Sequence, residues 1–294
     1  MIADMASGLK IAIASYGPAQ FEFLRETLVD LGNVPVAYLT TRSTRPSERP
    51  DSEDLDGVRA IAADLPPGMD LLLPGTPGAV AAMLAGYRPD LLLVAGFDWR
   101  LPREVLDLPR LGVLNVHPSA LPRYRGPSPI PHAVRNGDPH MGITVHRMTE
   151  RIGAGPILAQ TADVPVPEEA TFGNVWDLAM KPALPALLAE ALDAAARGEP
   201  GRPQDENEAT YAGFPPPGWH EVTWQGGRRD LHNQIRVLRF LRSGQGPVVP
   251  FQGETVQVHR TSLTDDGGIR IECEDGPLWV TCTPQAPASD TRHE

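Results

Sequence analysis

The chain has 294 residues, 41% of them apolar, so it can bury the core of one large domain or of two ordinary domains. Its two cysteines, Cys273 and Cys282, exclude a disulfide framework, and a formal net charge of -11 lacks the broad positive field that attracts nucleic acid. No apolar run reaches the roughly 18 residues of a membrane span, and the N-terminus has no signal-peptide pattern, so a cytoplasmic protein without membrane contact is expected.

Short apolar runs alternate with helical patterns in the first half of the chain. Strands are predicted over Lys10–Ser15, Val34–Thr40, Asp70–Pro74, Asp90–Ala95, Val113–His117, Gly142–Met148 and Pro156–Val164. Helices are predicted over Phe21–Leu31, Val58–Asp64 and Gly78–Ala85. The polar stretch Thr41–Asp56 is predicted to be a flexible loop. The near-continuous apolar run LLLVAG is typical of a parallel strand covered on both faces.

The second half has a different composition. A long helix is predicted over Phe172–Arg197, kinked or split by Pro182 and Pro185. The stretch Gly198–Gln204, rich in glycine and proline, marks a boundary. Beyond it, one helix and four short strands indicate a small barrel or sandwich. These elements are predicted over Arg229–Leu241, Val248–Phe251, Glu254–His259, Gly268–Cys273 and Leu278–Cys282.

The predicted fold class is therefore α/β, with a mostly parallel sheet followed by a small β-rich, barrel-like C-terminal domain. The first domain is expected over residues 1–198 and the second over residues 205–284. Residues 285–294 are expected to form a disordered tail, because they are polar and end the chain.

Asn115 and His117 are the first candidates for chemistry. They lie two residues apart on one predicted strand, so their side chains share a face, and Pro118 ends the strand directly after them. Ligands of open α/β sheets bind at this C-terminal edge. An amide and an imidazole there could stabilise an oxyanion and handle a proton. A histidine that only hydrogen-bonds the following loop remains the structural alternative.

The sequence around this pair, NVHPSALPRYRGPSPI, resembles the signature of the 10-formyltetrahydrofolate-dependent formyltransferases, among them methionyl-tRNA formyltransferase and the sugar N-formyltransferases. GITVHRM, GPILAQ, QDENEATYAG and WQGGRRDLHNQIRVLRF are similar to later landmarks of the family. The resemblance runs from about Leu9 to Val258. It implies a Rossmann-like formyltransferase domain with a small barrel-like domain behind it.

The resemblance also implies roles for individual residues. Asn115 would hold the formyl oxygen, His117 would stabilise the tetrahedral intermediate and manage its proton, and His146 would be their nearest partner. The pterin pocket would be lined, largely through backbone groups, by Ala95, Gly96, Phe97, Trp99, Arg100 and Leu101, and on its other side by Ile152, Ala154 and Gly155. The turn toward the acceptor would be shaped by Ser119, Arg125 and Gly126. Arg125 as a clamp on loop carbonyls is an equal alternative.

One position departs from the family pattern. The family has an aspartate just before a small residue and GPI, where ERIGAGPI places Gly153. That aspartate normally holds the histidine and, through water, helps to remove the amine proton. Asp98, at the end of a neighbouring strand, is the first candidate to replace this aspartate. The alternative is that Asp98 is only a loop carboxylate that faces solvent. A glycine at this loop is also expected to leave room for a larger ligand.

Three functions stay open. The first is formyl transfer from 10-formyltetrahydrofolate, without a metal, to the amine of a small molecule such as an amino sugar nucleotide or an amino-acid-derived metabolite. The others are formylation of methionyl-tRNA and folate binding with diverged or lost formyl transfer. A nucleic acid partner is not expected, because Thr41–Asp56 holds three arginines and five carboxylates. The sequence does not identify the acceptor amine or the oligomeric state, for which a homodimer is one option.

Overall fold

The computed structural model describes residues 8–43, 45–46 and 48–285, except for the side chain of residue 53. Nearly all of the predicted disordered tail, 285–294, lies outside the described residues. The chain divides into two compact units, each discontinuous in sequence. The first unit contains Met1–Pro127, Gly142–Ala162 and Ala183–Tyr211, and the second contains Ser128–Met141, Asp163–Pro182 and Ala212–Glu294. These units follow contacts within the fold, and the domain limits 1–198 and 205–284 stay a prediction.

The strands of the described residues follow the predicted pattern closely. They are β1 (Lys10–Ser15), β2 (Val34–Leu39), β3 (Leu71–Leu72), β4 (Leu91–Ala95), β5 (Val113–His117), β6 (His140–Arg147), β7 (Ile157–Pro165), β8 (Val248–Phe251), β9 (Glu254–Ser262), β10 (Ile269–Cys273) and β11 (Gly276–Pro284). The first seven form one sheet in the order β3-β2-β1-β4-β5-β6-β7. The predicted α/β class is therefore confirmed.

The large sheet is parallel over β1 to β5, and β6 runs antiparallel to β5. Leu91, Leu92 and Leu93 of β4 are fully buried, as the continuous apolar run predicts. Parallel pairing places the ends of β1 and β4 level, with Ser15 opposite Ala95. The loops that follow these strands and β5 therefore leave the sheet from one edge.

The helices are α1 (Pro18–Asp30), α2 (Ser52–Asp64), α3 (Pro77–Ala85), α4 (Arg103–Leu106), α5 (Pro129–Asn136), α6 (Phe172–Val175), α7 (Lys181–Ala196) and α8 (Arg228–Leu241). The prediction that Thr41–Asp56 is loop throughout is wrong, because α2 begins inside it. Asp51 caps this helix: its side chain accepts from the Asp54 amide, and the Asp54 side chain accepts from the Asp51 amide. This reciprocal pair satisfies two free donors of the first turn.

The predicted long helix forms as one run from Phe172 to Ala196, without a break at its prolines. A π-helical turn, Trp176–Met180, joins α6 to α7 and ends two residues before Pro182. A proline ring conflicts with the carbonyl four residues earlier and supplies no N–H. The wider π-helical turn accommodates the steric conflict and the missing N–H of Pro182. Pro185 lies inside α7.

The second unit contains a four-stranded antiparallel sheet in the order β10-β11-β9-β8. Leu231, Ile235 and Leu238 are buried along one face of α8, at the spacing of an amphipathic helix. Strand pairing separates the two cysteines: Cys273 is opposite Gly276, whereas Cys282 is opposite Val258, so they do not face each other across a hairpin. In the part of the chain that the structure describes, no helix is long and apolar enough to cross a membrane.

Candidate active site

Asn115, His117 and His146 lie together on neighbouring strands. In the antiparallel pair β5–β6, Asn115 is directly opposite His146, and His117 is opposite Thr144. The rings of His117 and His146 are 6.3 Å apart between centroids and stand edge to face at 84°. Strand alternation thus puts Asn115 and His117 on one face, as expected, and the neighbouring strand adds His146.

Hydrogen bonds fix which nitrogen of each imidazole carries its proton. His117 Nε2 lies 2.8 Å from the carbonyl oxygen of Tyr124, and His146 Nδ1 lies 2.8 Å from that of Arg147. Because a carbonyl can only accept, both nitrogens are N–H donors. His146 Nε2 is then an acceptor and meets Asn115 Nδ2 at 3.3 Å. Asn115 keeps a second N–H for a ligand, and His117 keeps a lone pair on Nδ1.

Burial holds both imidazoles in the neutral form. It lowers the pKa of His146 to about 4, with the neighbouring His117 contributing in the same direction. Burial also lowers the pKa of His117, which is only 6% exposed, and the bond to the Tyr124 carbonyl opposes that shift. The site therefore combines an amide donor with a neutral proton acceptor. The bond to Tyr124 shows that His117 also supports the following loop, which is the contact that the structural alternative requires.

The protein should lose stability as the pH falls from about 6.5 to about 4. The pKa of His146 is near 4 in the folded chain and 6.5 ordinarily. The unfolded chain therefore binds more protons in this window, which disfavours folding by up to about 3 kcal/mol for one such histidine. Urea unfolding at pH 7 and pH 5 measures the loss. His146→Asn, whose side chain does not titrate, should lose less, and equal losses in both proteins would contradict the assignment.

The loop after β5 is held by buried polar side chains. Thr144 Oγ1 donates to the Ser119 carbonyl at 2.6 Å and accepts from the Leu121 amide at 3.2 Å. Gln160 Nε2 donates to Thr144 Oγ1 and to the Leu121 carbonyl, both at 2.8 Å. The Ser119 hydroxyl donates to the Arg123 carbonyl at 2.7 Å, so it closes the turn itself. Satisfied buried bonds of this kind rigidify a loop.

Arg125 anchors the loop in which the family aspartate would stand. Its guanidinium donates to Gln204 Oε1 at 2.8 and 3.0 Å and to the Glu206 carboxylate at 3.0 and 3.1 Å. Gln204 Nε2 in turn donates to the carbonyl oxygens of Gly153, at 2.8 Å, and Gly155, at 2.7 Å. Arg125 thus acts on the loop carbonyls through Gln204, which supports its reading as a clamp.

The space beside Gly153 is occupied. Gly153 has a φ of +66°, and a Cβ there would lie 3.0 Å from Arg125 Cγ and 3.1 Å from Arg125 Cβ. The room that this glycine was expected to leave for a larger ligand is therefore filled by the aliphatic part of Arg125. An added side chain would need that part to move by a few tenths of an ångström.

The hydrogen bond of Asp98 is made to the loop after β2. Its Oδ2 accepts a hydrogen bond from Thr41 Oγ1 at 2.7 Å, on the loop that follows β2. Within the described residues, no hydrogen bond joins Asp98 to His117 or to His146. The relocated-acid role predicted for Asp98 thus has no direct contact in its support.

Two members of the segment expected to line the pterin pocket, mainly through backbone groups, have buried side chains. Trp99 and Leu101 are 4% and 2% exposed, so their side chains belong to the interior. The Tyr16 ring lies so close to Gly96 that a Cβ there would come within 2.1 Å of a ring carbon. Gly96 has a φ of +91°, which a glycine adopts without cost. Arg100 is the member of the segment whose side chain is exposed.

The other predicted residues of the site are placed by strand ends and turns. Ala95 is the last residue of β4, and Phe97 is half-buried against the core of the first unit. Gly126 follows Arg125 with a φ of +107°, in the left-handed region that favours glycine. These three residues shape the backbone, and no side-chain hydrogen bond to a ligand can be assigned to them.

The two predicted pocket walls meet in one cleft of about 460 Å³. Arg100 contributes from the first wall, and Ile152 and Ala154 contribute from the second. Arg100 Nη2 also donates to the Glu150 carbonyl at 2.5 Å, which joins the two segments. The lining is completed by Glu150, Arg125, Arg151, Ala209, Thr210 and Tyr211. A cleft of this size can hold part of a folate, whereas no group of three or more metal-ligating side chains was found among the described residues.

Three residues that hydrogen-bond the loop around Arg125 were not predicted from the sequence, because they lie about 80 residues further along the chain. Gln204 and Glu206 hold Arg125, and Thr210 holds the residue before it. Thr210 Oγ1 accepts from the Tyr124 amide at 2.8 Å, and its carbonyl accepts from the Arg125 amide at 2.9 Å. All three lie within QDENEATYAG, which the resemblance marked as a landmark without giving it a role.

Comparison with known proteins identifies relatives of the chain. A family model described as formyl transferase matches residues 75–189. The methionyl-tRNA formyltransferase of Roseiflexus sp. (strain RS-1) is 40% identical over 270 residues, which cover 87% of this chain and 79% of that protein. The methionyl-tRNA formyltransferase of Pseudomonas fluorescens (strain SBW25) is 32% identical over 292 residues, covering 96% of this chain and 88% of that protein.

Solved structures share the fold. HypX from Aquifex aeolicus, solved in complex with tetrahydrofolic acid, superposes with a TM-score of 0.65 at 17% identity, covering 95% of this chain and 45% of HypX. A sugar N-formyltransferase from Shewanella sp FDAARGOS_354 gives a TM-score of 0.61 at 18% identity, covering 87% of this chain and 99% of that one. Given a relative that is 40% identical over most of both chains, the protein belongs to the formyltransferase family.

Proposed function

We propose that the protein transfers a formyl group from 10-formyltetrahydrofolate to a primary amine. The observation that carries the proposal is the cluster of Asn115, His117 and His146 at the C-terminal end of β5. Ligands of open α/β sheets bind outside this edge. The HypX neighbour was solved with tetrahydrofolic acid, which supports a folate as the formyl donor.

When bound, the donor supplies the formyl group: the amine nitrogen bonds to the formyl carbon, the bond from that carbon to folate N10 breaks, and N10 takes up the proton that the amine loses. We assign the free N–H of Asn115 to the formyl oxygen, where negative charge develops. Neutral His117 takes the amine proton at Nδ1 and passes it to N10. His146 orients Asn115 by accepting its other N–H.

Methionyl-tRNA is the acceptor that the relatives favour. The proteins from Roseiflexus and Pseudomonas fluorescens, at 40% and 32% identity over most of this chain, are both methionyl-tRNA formyltransferases. Their names support the aminoacyl amine as the first acceptor to test. They weigh against the expectation, drawn from charge alone, that nucleic acid is not a partner.

A small-molecule amine is the second candidate, favoured by the charge of the chain. Residues 205–284 carry seven arginines and eleven carboxylates. Thr41–Asp56 carries three arginines and five carboxylates. Neither segment offers the excess of positive charge that usually engages phosphates. The sugar N-formyltransferase from Shewanella has the same fold, which keeps an amino sugar nucleotide among the acceptors to be tested.

The pure protein should release tetrahydrofolate from 10-formyltetrahydrofolate when the true acceptor is added. We expect kcat/KM for initiator methionyl-tRNA to exceed that for amino sugar nucleotides by about tenfold or more. The tRNA reaction should also weaken steeply with salt, because its binding releases counterions. Higher kcat/KM with a small amine would reverse the order of the two acceptors. Folate binding without turnover on any acceptor would leave a folate-binding relative whose chemistry has diverged.

A further inference from the structure

The turn that follows β5 contains one residue in an unfavourable backbone conformation. Tyr124 has a φ of +56°, in the left-handed region that residues with a Cβ rarely adopt. In this conformation its carbonyl oxygen lies 2.8 Å from His117 Nε2. A conformation of this kind persists where the surrounding structure fixes it. The groups that fix Tyr124 therefore also determine how the ring of His117 is held.

A distant residue, Thr210, hydrogen-bonds this turn at three backbone groups. Its hydroxyl oxygen accepts from the Tyr124 amide at 2.8 Å, although 86 residues separate the two. Its carbonyl accepts from the Arg125 amide at 2.9 Å, and its own amide donates to the Pro122 carbonyl at 3.2 Å. Thr210 is thus bonded to the turn on both sides of the left-handed residue.

Thr210 holds both peptide units that flank Tyr124. In the second unit, the N–H of Arg125 donates to the Thr210 carbonyl. The carbonyl of the same unit is that of Tyr124, which accepts from His117. Because a peptide unit is planar, a hydrogen bond that fixes its N–H also fixes the direction of its carbonyl. In the first unit, the Thr210 hydroxyl holds the N–H of Tyr124 itself, so both dihedral angles of that residue are set between two fixed planes.

We propose that Thr210 is a positioning residue for His117 and acts on it through the carbonyl of Tyr124. The inference rests on the function proposed above, in which His117 takes the amine proton, and it adds a residue of QDENEATYAG to that step. The hydroxyl of Thr210 is the group that a substitution can remove, since its other two bonds are made by the backbone. Without this hydroxyl the Tyr124 peptide loses one fixed end, and the ring of His117 loses part of its support.

The same contact influences the basicity of His117. Burial lowers the pKa of this ring, and the hydrogen bond to the Tyr124 carbonyl raises it. A carbonyl that turns away therefore lowers the pKa further and leaves a weaker base. The groups beside it that titrate or carry charge are His146 on β6 and Arg125 on the following loop, while β4 has no titratable side chain. The described hydrogen bonds of the His146 and Arg125 side chains do not involve Thr210, so a change of its hydroxyl leaves them in place.

Three substitutions test this role. Thr210→Val and Thr210→Ala remove the hydroxyl, whereas Thr210→Ser keeps it, and all three should fold because Thr210 is exposed. NMR titration of the His117 ring, identified by its loss in His117→Ala, measures the pKa without any substrate. We expect the pKa of His117 to be lower in Thr210→Val and Thr210→Ala than in the wild type, and to return to the wild-type value in Thr210→Ser.

Steady-state release of tetrahydrofolate gives the second readout. Loss of the hydroxyl should lower kcat about fivefold, the effect of one hydrogen bond, with little change in KM for the donor. The acidic limb of the kcat–pH profile should move to lower pH, because a base of lower pKa stays deprotonated there. Thr283→Val is the matched control: it removes an exposed hydroxyl bonded to His259 at 2.9 Å in the second unit and should change neither readout.

Several results would contradict the inference. An unchanged pKa of His117 and an unchanged kcat in Thr210→Val and Thr210→Ala would show that the hydroxyl does not position the ring. A change confined to KM would place Thr210 in donor binding instead, and an equal loss in Thr210→Ser would assign the effect to packing. The titration separates this inference from the function on which it rests. A pKa that falls in Thr210→Val and recovers in Thr210→Ser, in a protein that turns over no acceptor, supports the positioning role and removes the proposed function.

Discussion

Alanine at Asn115 or at His117 should lower kcat for formyl transfer by about 100-fold or more, the usual loss when an oxyanion donor or a positioned proton acceptor is removed. Asn115→Ala removes the amide that donates to His146 Nε2 and whose second N–H is left for the formyl oxygen. His117→Ala removes the ring that the Tyr124 carbonyl holds in one tautomer. Both side chains act on bond making, so KM for the folate should change little.

Steady-state release of tetrahydrofolate at saturating donor, with thermal unfolding of each variant, measures this effect. His259 provides a matched control, because its ring lies in the second unit and is hydrogen-bonded to the Thr283 hydroxyl at 2.9 Å. His259→Ala should keep the wild-type kcat. If Asn115→Ala and His117→Ala fold, bind folate and turn over at close to the wild-type rate, the pair has no part in the mechanism.

The half of the site that lies on β5 could be predicted because its determinants are local. An apolar strand, two polar residues at alternate positions and a proline that ends it place Asn115 and His117 on one face at the sheet edge. The structure ends β5 at His117, as predicted. His146 was reached through the family resemblance, and its position opposite Asn115 follows from a strand pairing that the sequence does not specify.

The rest of the site depends on contacts between distant parts of the chain. Arg125 meets Gln204 and Glu206 across 79 and 81 residues, and no periodic pattern encodes such a contact. The exposure of Arg100 and the burial of Trp99 are set by packing, since both lie in one short turn whose direction the sequence leaves open. A motif identifies such residues but does not say which of them face a ligand.

Helix α5 has no counterpart among the elements predicted from the sequence. The sequence PSPIPHAV has the composition of a loop, yet α5 begins at Pro129, where a proline needs no N–H partner. Pro131 lies in the same first turn, and Gly137 ends the helix with a φ of +72°. Proline therefore marks the start of this helix, a position that composition alone does not distinguish from a loop.

Position 153 adjoins Arg125, whose charge influences His146. The positive charge of Arg125 contributes to the low pKa of His146, after the larger effects of burial and of His117. A Cβ at position 153 would lie 3.0 Å from Arg125 Cγ. A carboxylate introduced there would offset part of the field of Arg125 and raise the pKa of the histidines. It would also restore the acid that the family resemblance places at this position.

Gly153→Asp should therefore raise kcat about tenfold above Gly153→Asn, because the two variants differ only in the charge offered to the histidine pair. Both must hold a φ of +66° and displace Arg125 slightly, so both should lose a similar stability of about 1 kcal/mol. The kcat–pH profile and the thermal midpoint of each variant measure the two effects. A raised histidine pKa moves the acidic limb of the profile to higher pH in Gly153→Asp, since the base must be deprotonated to act. If the two variants share one kcat and one acidic limb, a carboxylate at this position does not limit the reaction, and the glycine is not a defect of the site.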